Sequence, residues 1–242
     1  LHGEKSSTPK AICSIINYLP KGEKMIEQNS HEVSSRPHKF FERYLDNDLG
    51  KLSSFLEEKY KLIQEAQLRG VDKLGDGEIW VESGSLSTVK WREYNVFQFS
   101  SPEIYNIFKA ISSATREACE YYGIDFDAQK YMVQGWFNIN NSEVGKLNWH
   151  DHGGPFAPHF HGYYCVNAEP SITHYRINDG SGRVVDNVNK NNRMIISEMG
   201  HPHAMGDWEW SGSRITLAYD IEPLDALINN DLTIEQHWIP LL

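Results

Sequence analysis

The residues best suited to chemistry lie in the segment Trp149-His150-Asp151-His152-Gly153. On an extended strand, positions i and i+2 point to one side, so His150 and His152 can share an ion. Imidazole nitrogens bind a metal at about 2 Å, and histidine is the commonest protein ligand for one. About fifty residues later comes Gly200-His201-Pro202-His203, which supplies a distant third histidine, His203, with His201 as a fallback. Then follows Arg214-Ile215-Thr216-Leu217-Ala218-Tyr219-Asp220-Ile221, with Arg214, Thr216 and Ala218 on one face and an apolar face opposite. A guanidinium with a hydroxyl two residues on makes a fork for a carboxylate. An HxH pair alone is common by chance, and an exposed strand arginine usually ends in a surface ion pair. The order of close pair, distant histidine and arginine is much rarer.

Composition narrows the classes. The chain has 242 residues, 40% hydrophobic and 23% charged, with a formal net charge of −10. That length buries a sizeable core. The acidic balance argues against nucleic acid or an anionic membrane as partner, since both require a basic footprint. Of eleven histidines, seven fall between His150 and His203. The three cysteines, Cys13, Cys119 and Cys165, form no CxxC pair, which points to a reducing compartment, cytoplasmic or organellar. No apolar run reaches the roughly 18–20 residues that span a bilayer. The expectation is a soluble protein acting on a small molecule, with a targeting peptide removed ahead of Leu1; no pattern specifies an oligomeric state.

The elements that must position these residues follow from periodicity. Residues 1–35 read as an N-terminal arm. Residues 36–125 read as helical support with first strands: Phe40, Phe41, Tyr44, Leu45, Leu49, Leu52, Phe55, Leu56, Tyr60 and Leu62 recur near helical spacing, predicting two helices broken near Asn47–Gly50. Ile79 to Phe99 reads as strand and hairpin turning at Gly84. Ser101-Pro102-Glu103 is a helix start, and Gly123 ends that helix. Beyond it, Val133, Phe137 and Ile139 alternate with Gln134, Trp136, Asn138 and Asn140, the period of a strand with a polar face. Short strands are expected near 148–152, 161–167, 173–177, 193–197 and 214–221. Asn138 and Asn140 are candidate substrate contacts on the polar face, and His161 another. Loops Gly153–Phe160 and Asn178–Asn192 are candidate lids, and Cys165 reads as a small buried hydrophobe. The fold class is mainly β with helical support (α+β): a jelly-roll core over 126–223, helices packed on one sheet, one domain over 1–242, and a C-terminal extension over 224–242.

The segments QGWFNIN, NWHDH, HGYYCVNAEPSITHYRI, NKNNR and RITLAYDIEP, between about Tyr131 and Pro223, resemble a marine microbial and phage branch of the iron(II)- and 2-oxoglutarate-dependent oxygenases. The similarity spans roughly the C-terminal 40% of the chain. It implies a double-stranded β-helix core and the cofactors Fe(II), 2-oxoglutarate and O₂. By resemblance, His150, His152 and His203 are the metal ligands and catalytic centre, and Arg214 with Thr216 holds the co-substrate's 5-carboxylate. It also implies oxidation of a C–H bond, by hydroxylation or oxidative cyclisation as in algal secondary metabolism, releasing succinate and CO₂. The sequence departs from the usual pattern of two histidines and a carboxylate, because position i+2 is His152 and Asp151 stands at i+1. Either the triad is all-histidine or local distortion brings Asp151 to the ion. His159, Asp151 and Glu169 are candidates for supporting contacts. The alternatives are a cupin-like three-histidine metalloenzyme without 2-oxoglutarate, which lacks the usual following glutamate here, and a non-catalytic binding jelly roll.

Overall fold

A computed structural model of the chain describes residues 36–68, 85–87, 95–140, 147–152, 160–198, 200–206, 208, 211–229 and 237–241. The expected arm over 1–35, most of the 79–99 hairpin, the loop 153–159 and His159 lie outside the described residues. In chain order the elements are β1 (Phe41–Tyr44), α1 (Leu49–Leu68), β2 (Ser85–Ser87), α2 (Pro102–Tyr122), α3 (Phe126–Gln129), β3 (Tyr131–Asn140), β4 (Leu147–His150), β5 (Phe160–Asn167), β6 (Ile172–Arg176), β7 (Val184–Val188), β8 (Arg193–Glu198), β9 (His203–Met205), β10 (Arg214–Pro223), α4 (Leu224–Asn229) and β11 (Ile239–Pro240).

Two antiparallel sheets carry the site. The larger runs β1-β8-β5-β10-β3-β11, with β2 also on β3; the smaller runs β4-β9-β6-β7. Taking β3 to β10 as eight successive strands, the first, third, sixth and eighth share the large sheet. The second, fourth, fifth and seventh share the small one. That alternation between two facing sheets is the double-stranded β-helix, a jelly roll. Strand parity then decides everything about the interior. On β10, Ile215, Leu217, Tyr219 and Ile221 join the core beneath the helices, while Arg214, Thr216, Ala218 and Asp220 turn into the barrel.

Helix α2 shows why the helices sit where they do. Ser101 caps it by accepting the amide of Ile104, Pro102 opens its first turn, and Gly123 ends it in the left-handed region at φ 75°. Its apolar stripe of Ile104, Ile107, Ile111, Ala114 and Ala118 is buried against β1 and β8. None of the described helices is long and apolar enough to cross a membrane.

Two expectations are corrected. The first of the two helices expected around 47–50 is the strand β1. Phe41 packs with Tyr121 of α2, while its neighbour Phe40 packs inside the barrel on Tyr175, with ring centroids 5.0 Å apart. Adjacent side chains on opposite faces are the signature of a strand, and this pairing wins over the helix-like spacing. Asp48 then starts α1 by accepting the amide of Lys51 at 3.1 Å. The loop expected over Asn178–Asn192 holds β7, whose valines pair with β6. Asn189, Asn191 and Asn192 are structural anchors there: Asn191 accepts the amide of Ala168 at 2.9 Å, and Asn192 accepts the amide of Asn47 at 3.2 Å. The segment therefore is no free lid.

Candidate metal centre and anion pocket

His150 closes β4 directly opposite His203 at the start of β9, in register across the small sheet. His152 lies two residues on, in the turn beyond the strand. Ring centroids are 4.3 Å apart for His150 and His203, 5.0 Å for His152 and His203, and 5.6 Å for His150 and His152. One nitrogen from each lies within 4.8 Å of the others, so the three can share one ion. Asp151 is exposed while His152 turns inward, so of the two the histidine is the one placed to ligate.

The ring nitrogens are set up for this. His152 Nδ1 lies 2.6 Å from Asp220 Oδ1, which takes its N–H and leaves Nε2 with a lone pair for a metal. Burial works against a charge on His152, but the negative charge and hydrogen bond of Asp220, with Asp151 beside it, prevail and hold its pKa above the ordinary value. His203 turns Nδ1 toward the carbonyl of His201 at 3.4 Å. Burial, with His152 and His150 adding, pushes its pKa down to about 2, so it stays neutral with a lone pair to give. Trp136 packs 5.5 Å from His152, and Tyr175 stacks 5.4 Å from His203. These rings pack against two of the three histidines.

His161, on β5 opposite Asp220, is fully buried and stacks 4.8 Å from His203. Burial first, then the neighbouring histidines, drives its pKa well below the usual value, and its Nε2 has no hydrogen-bond partner among the described residues. A neutral imidazole nitrogen without a partner beside the triad is a contact waiting for a bound molecule.

Arg214 lies on the same interior, at the opposite end of β10 from Asp220. It pairs with Asn140 of β3, and Thr216 with Asn138, so all four expected residues come together on neighbouring strands. Arg214 is 5% exposed, and burial pulls its pKa down. Its Nε donates to Ser171 Oγ at 3.0 Å. Among the described residues no carboxylate lies within ion-pair range of it, whereas the other buried interior arginine, Arg193, has Glu42 at 2.9 Å. A buried guanidinium without an anion is costly, which leaves Arg214 available to one. Asn140 instead donates to Met205 Sδ at 3.3 Å.

Three functional residues were missed by sequence reasoning. Asp220 shares the parity of Arg214 and Thr216, and extending the inward face by one step past Ala218 finds it. Asn189 and Ser171 had no such signal. Asn189 accepts from Tyr163 Oη at 2.8 Å and donates to Ser171 Oγ at 2.8 Å, so a buried network orients the serine that holds Arg214. Glu169, expected near the site, pairs with Lys190 at 2.8 Å on the surface instead. A cleft of about 520 Å³ lined by Phe97, Tyr105 and Ile239 lies on the helical side, apart from all these residues.

Solved structures similar to this one include AviO1 from Streptomyces viridochromogenes, at 13% identity over 78% of this chain and 91% of that chain, with a TM-score of 0.49. A prolyl-4-hydroxylase from Pseudomonas putida shares 13% identity over 76% and 92% of the two chains, TM-score 0.44. An oxidoreductase of the 2OG-Fe(II) oxygenase family from Burkholderia pseudomallei shares 12% identity over 51% of this chain, TM-score 0.39, and the match spans 57% of that protein's length. Iron- and 2-oxoglutarate-dependent enzymes recur among the chains of similar fold. At these identities the likeness is one of fold, and a fold hosts many activities. No protein-family model and no curated protein matches the chain.

Proposed function

We propose that this chain is a non-haem iron(II)- and 2-oxoglutarate-dependent oxygenase acting on a C–H bond of a small acidic metabolite. One observation carries the reading: three imidazoles placed to share one ion lie in a barrel interior with a buried arginine that, among the described residues, has no carboxylate of its own. The spacing suits a five-carbon diacid. His203 pairs with Tyr175 on β6, and Ser171, which holds Arg214, lies four residues back, just ahead of that strand, at most about 13 Å away at 3.3 Å per residue. Side chains leaning inward from both ends leave the remainder for the co-substrate.

When bound, iron(II) with 2-oxoglutarate and O₂ would supply the oxidising chemistry, splitting 2-oxoglutarate to succinate and CO₂. The protein's own tasks are binding, orientation and exclusion of water. Arg214 would take the distal carboxylate bidentately, with the Thr216 hydroxyl one strand step closer to the histidines. Ser171, fixed by Asn189, holds the guanidinium plane. Asp220 keeps His152 in the ligating tautomer. The unpartnered His161 Nε2 and the half-buried Asn138 face the same interior, and they favour a polar substrate. Hydroxylation and oxidative ring closure both begin from this arrangement.

The test is anaerobic addition of iron(II) and 2-oxoglutarate, read by the weak visible charge-transfer band of the chelate. The band should form with the wild type, weaken at least tenfold in 2-oxoglutarate affinity with Arg214→Ala, and vanish with His203→Ala. Iron binding without any response to 2-oxoglutarate would make Arg214 structural and turn the reading to a three-histidine metalloenzyme of another kind.

A further inference from the structure

A second set of donors converges beside the first. His38 stands three residues before β1, Glu198 ends β8, and His201 lies in the turn entering β9. One donor atom from each falls within 4.8 Å of the other two. The His38 and His201 rings stand nearly perpendicular, 4.2 Å between centroids, close to the 4.3 Å of His150 and His203. Both ring nitrogens of His38 and Nε2 of His201 are buried and have no hydrogen-bond partner among the described residues, although His201 is only 7% exposed. Buried polar atoms are nearly always paired, so three bare nitrogens facing a carboxylate mark a missing ligand. The Tyr122 hydroxyl lies beside Glu198, where it could orient a ligating carboxylate. Two imidazoles and one carboxylate form a borderline N/O set that suits zinc and its neighbours.

We propose that His38, Glu198 and His201 bind a second divalent cation of the zinc class, separate from any ion at the triad, which pins the chain entering β1 to the turn between β8 and β9. One contact opposes it. The amide of Asn178 donates to His201 Nδ1 at 3.0 Å, so in the metal-free protein Nε2 carries the proton. Ligation through Nε2 moves that proton to Nδ1 and breaks the bond. A metal–imidazole bond outweighs one amide hydrogen bond by a wide margin. Asn178 also opens an exposed turn in which Gly180 holds φ 82°, so its amide has room to swing away. Loss of that bond is therefore a specific mark of the site.

The experiment is equilibrium dialysis of the full chain against Zn²⁺ alone, with the bound ions counted. Wild type should hold two, His38→Ala one, His203→Ala one, and the double variant none. Glu198→Gln, which keeps the side chain's shape, should weaken one of the two ions at least tenfold, and it carries the test if His38→Ala fails to fold. In the His203→Ala protein, Zn²⁺ should shift the Asn178 amide resonance. If folded His38→Ala and Glu198→Gln both bind as the wild type does, or if His203→Ala binds no ion, the second site does not exist. One ion in the wild type that survives His203→Ala and is lost in His38→Ala would support this site while removing the triad reading, so the two stand or fall separately.

Discussion

At the scale of single residues, the site depends on which atoms are left without partners. As metal ligands, His150, His152 and His203 would bring no negative charge to an ion, and the carboxylate hydrogen-bonded to His152 is that of Asp220. A carboxylate that accepts the far N–H of a ligating imidazole fixes its tautomer and raises its basicity, and removing such a partner typically lowers metal affinity about 10–100-fold. Asp220→Asn should produce a loss of that order in an iron(II) or Co²⁺ titration, with the fold intact because the amide keeps the shape. An unchanged affinity would mean that His152 is held by something else. The same reasoning explains why Asp151 is a poor rival for ligation. It is exposed, and a carboxylate in water gains little by being bent back toward an ion.

At the scale of elements, the barrel brings the pieces together by close approach of strands, and Gly162 of β5 is where the approach is tightest. A Cβ there would sit 2.0 Å from the Ile195 carbonyl of β8, under the Tyr219 ring whose hydroxyl donates to that same carbonyl at 2.7 Å. Neither a ladder carbonyl nor a ring bonded to it can retreat, so Gly162→Ala should destabilise by about 1–3 kcal/mol or more, the range for overpacking a close-packed core. A urea unfolding midpoint matching the wild type would show that the strands part more easily than this packing implies. The elements also show what was legible beforehand. The inward and outward faces of β3 and β10 follow from period-2 alternation, which is local, and so Asn138, Asn140, Arg214 and Thr216 were readable as one cluster. Helix α2 announced both ends through Ser101 and Gly123. What is not local was hidden. β1 is a strand only because β8 lies beside it, and β9 is three residues long, so its identity rests on the pairing of His203 with His150. Ser171 and Asn189 act through contacts between segments distant in sequence. No pattern within a window of ten residues encodes such contacts.

At the scale of the whole molecule, the concentration of buried titratable groups sets how stability depends on pH. In the metal-free protein burial pushes His38 down to about 4 and His203 to about 2, with His161 and His201 also lowered. An unfolded histidine takes a proton near pH 6.5, so below that pH the unfolded state binds protons the folded state refuses, and stability falls as pH drops. His152, held above its ordinary value, keeps its proton in both states well below 6.5 and adds a decline of its own above that pH. Glu222, buried two residues beyond Asp220 on the same inward face, is raised to about 9 by burial and then by the Asp220 charge. Folded Glu222 keeps its proton up to that pH while the unfolded chain loses it near 4.5, so its contribution is full in acid and declines as pH rises toward 9. Below 6.5 the four lowered histidines dominate; above it the Glu222 and His152 declines are left of this set. The thermal midpoint of the metal-free protein should therefore peak near pH 6.5. Glu222→Gln should flatten the fall on the alkaline side and steepen the rise between about pH 4.5 and 6.5, leaving only the region below 4.5 as it was, because Gln has no proton to lose. A Glu222→Gln curve that is offset from the wild type by the same amount at every pH between 5 and 9 would show that Glu222 is not protonated in the folded protein, and that the barrel interior is wetter than its burial indicates.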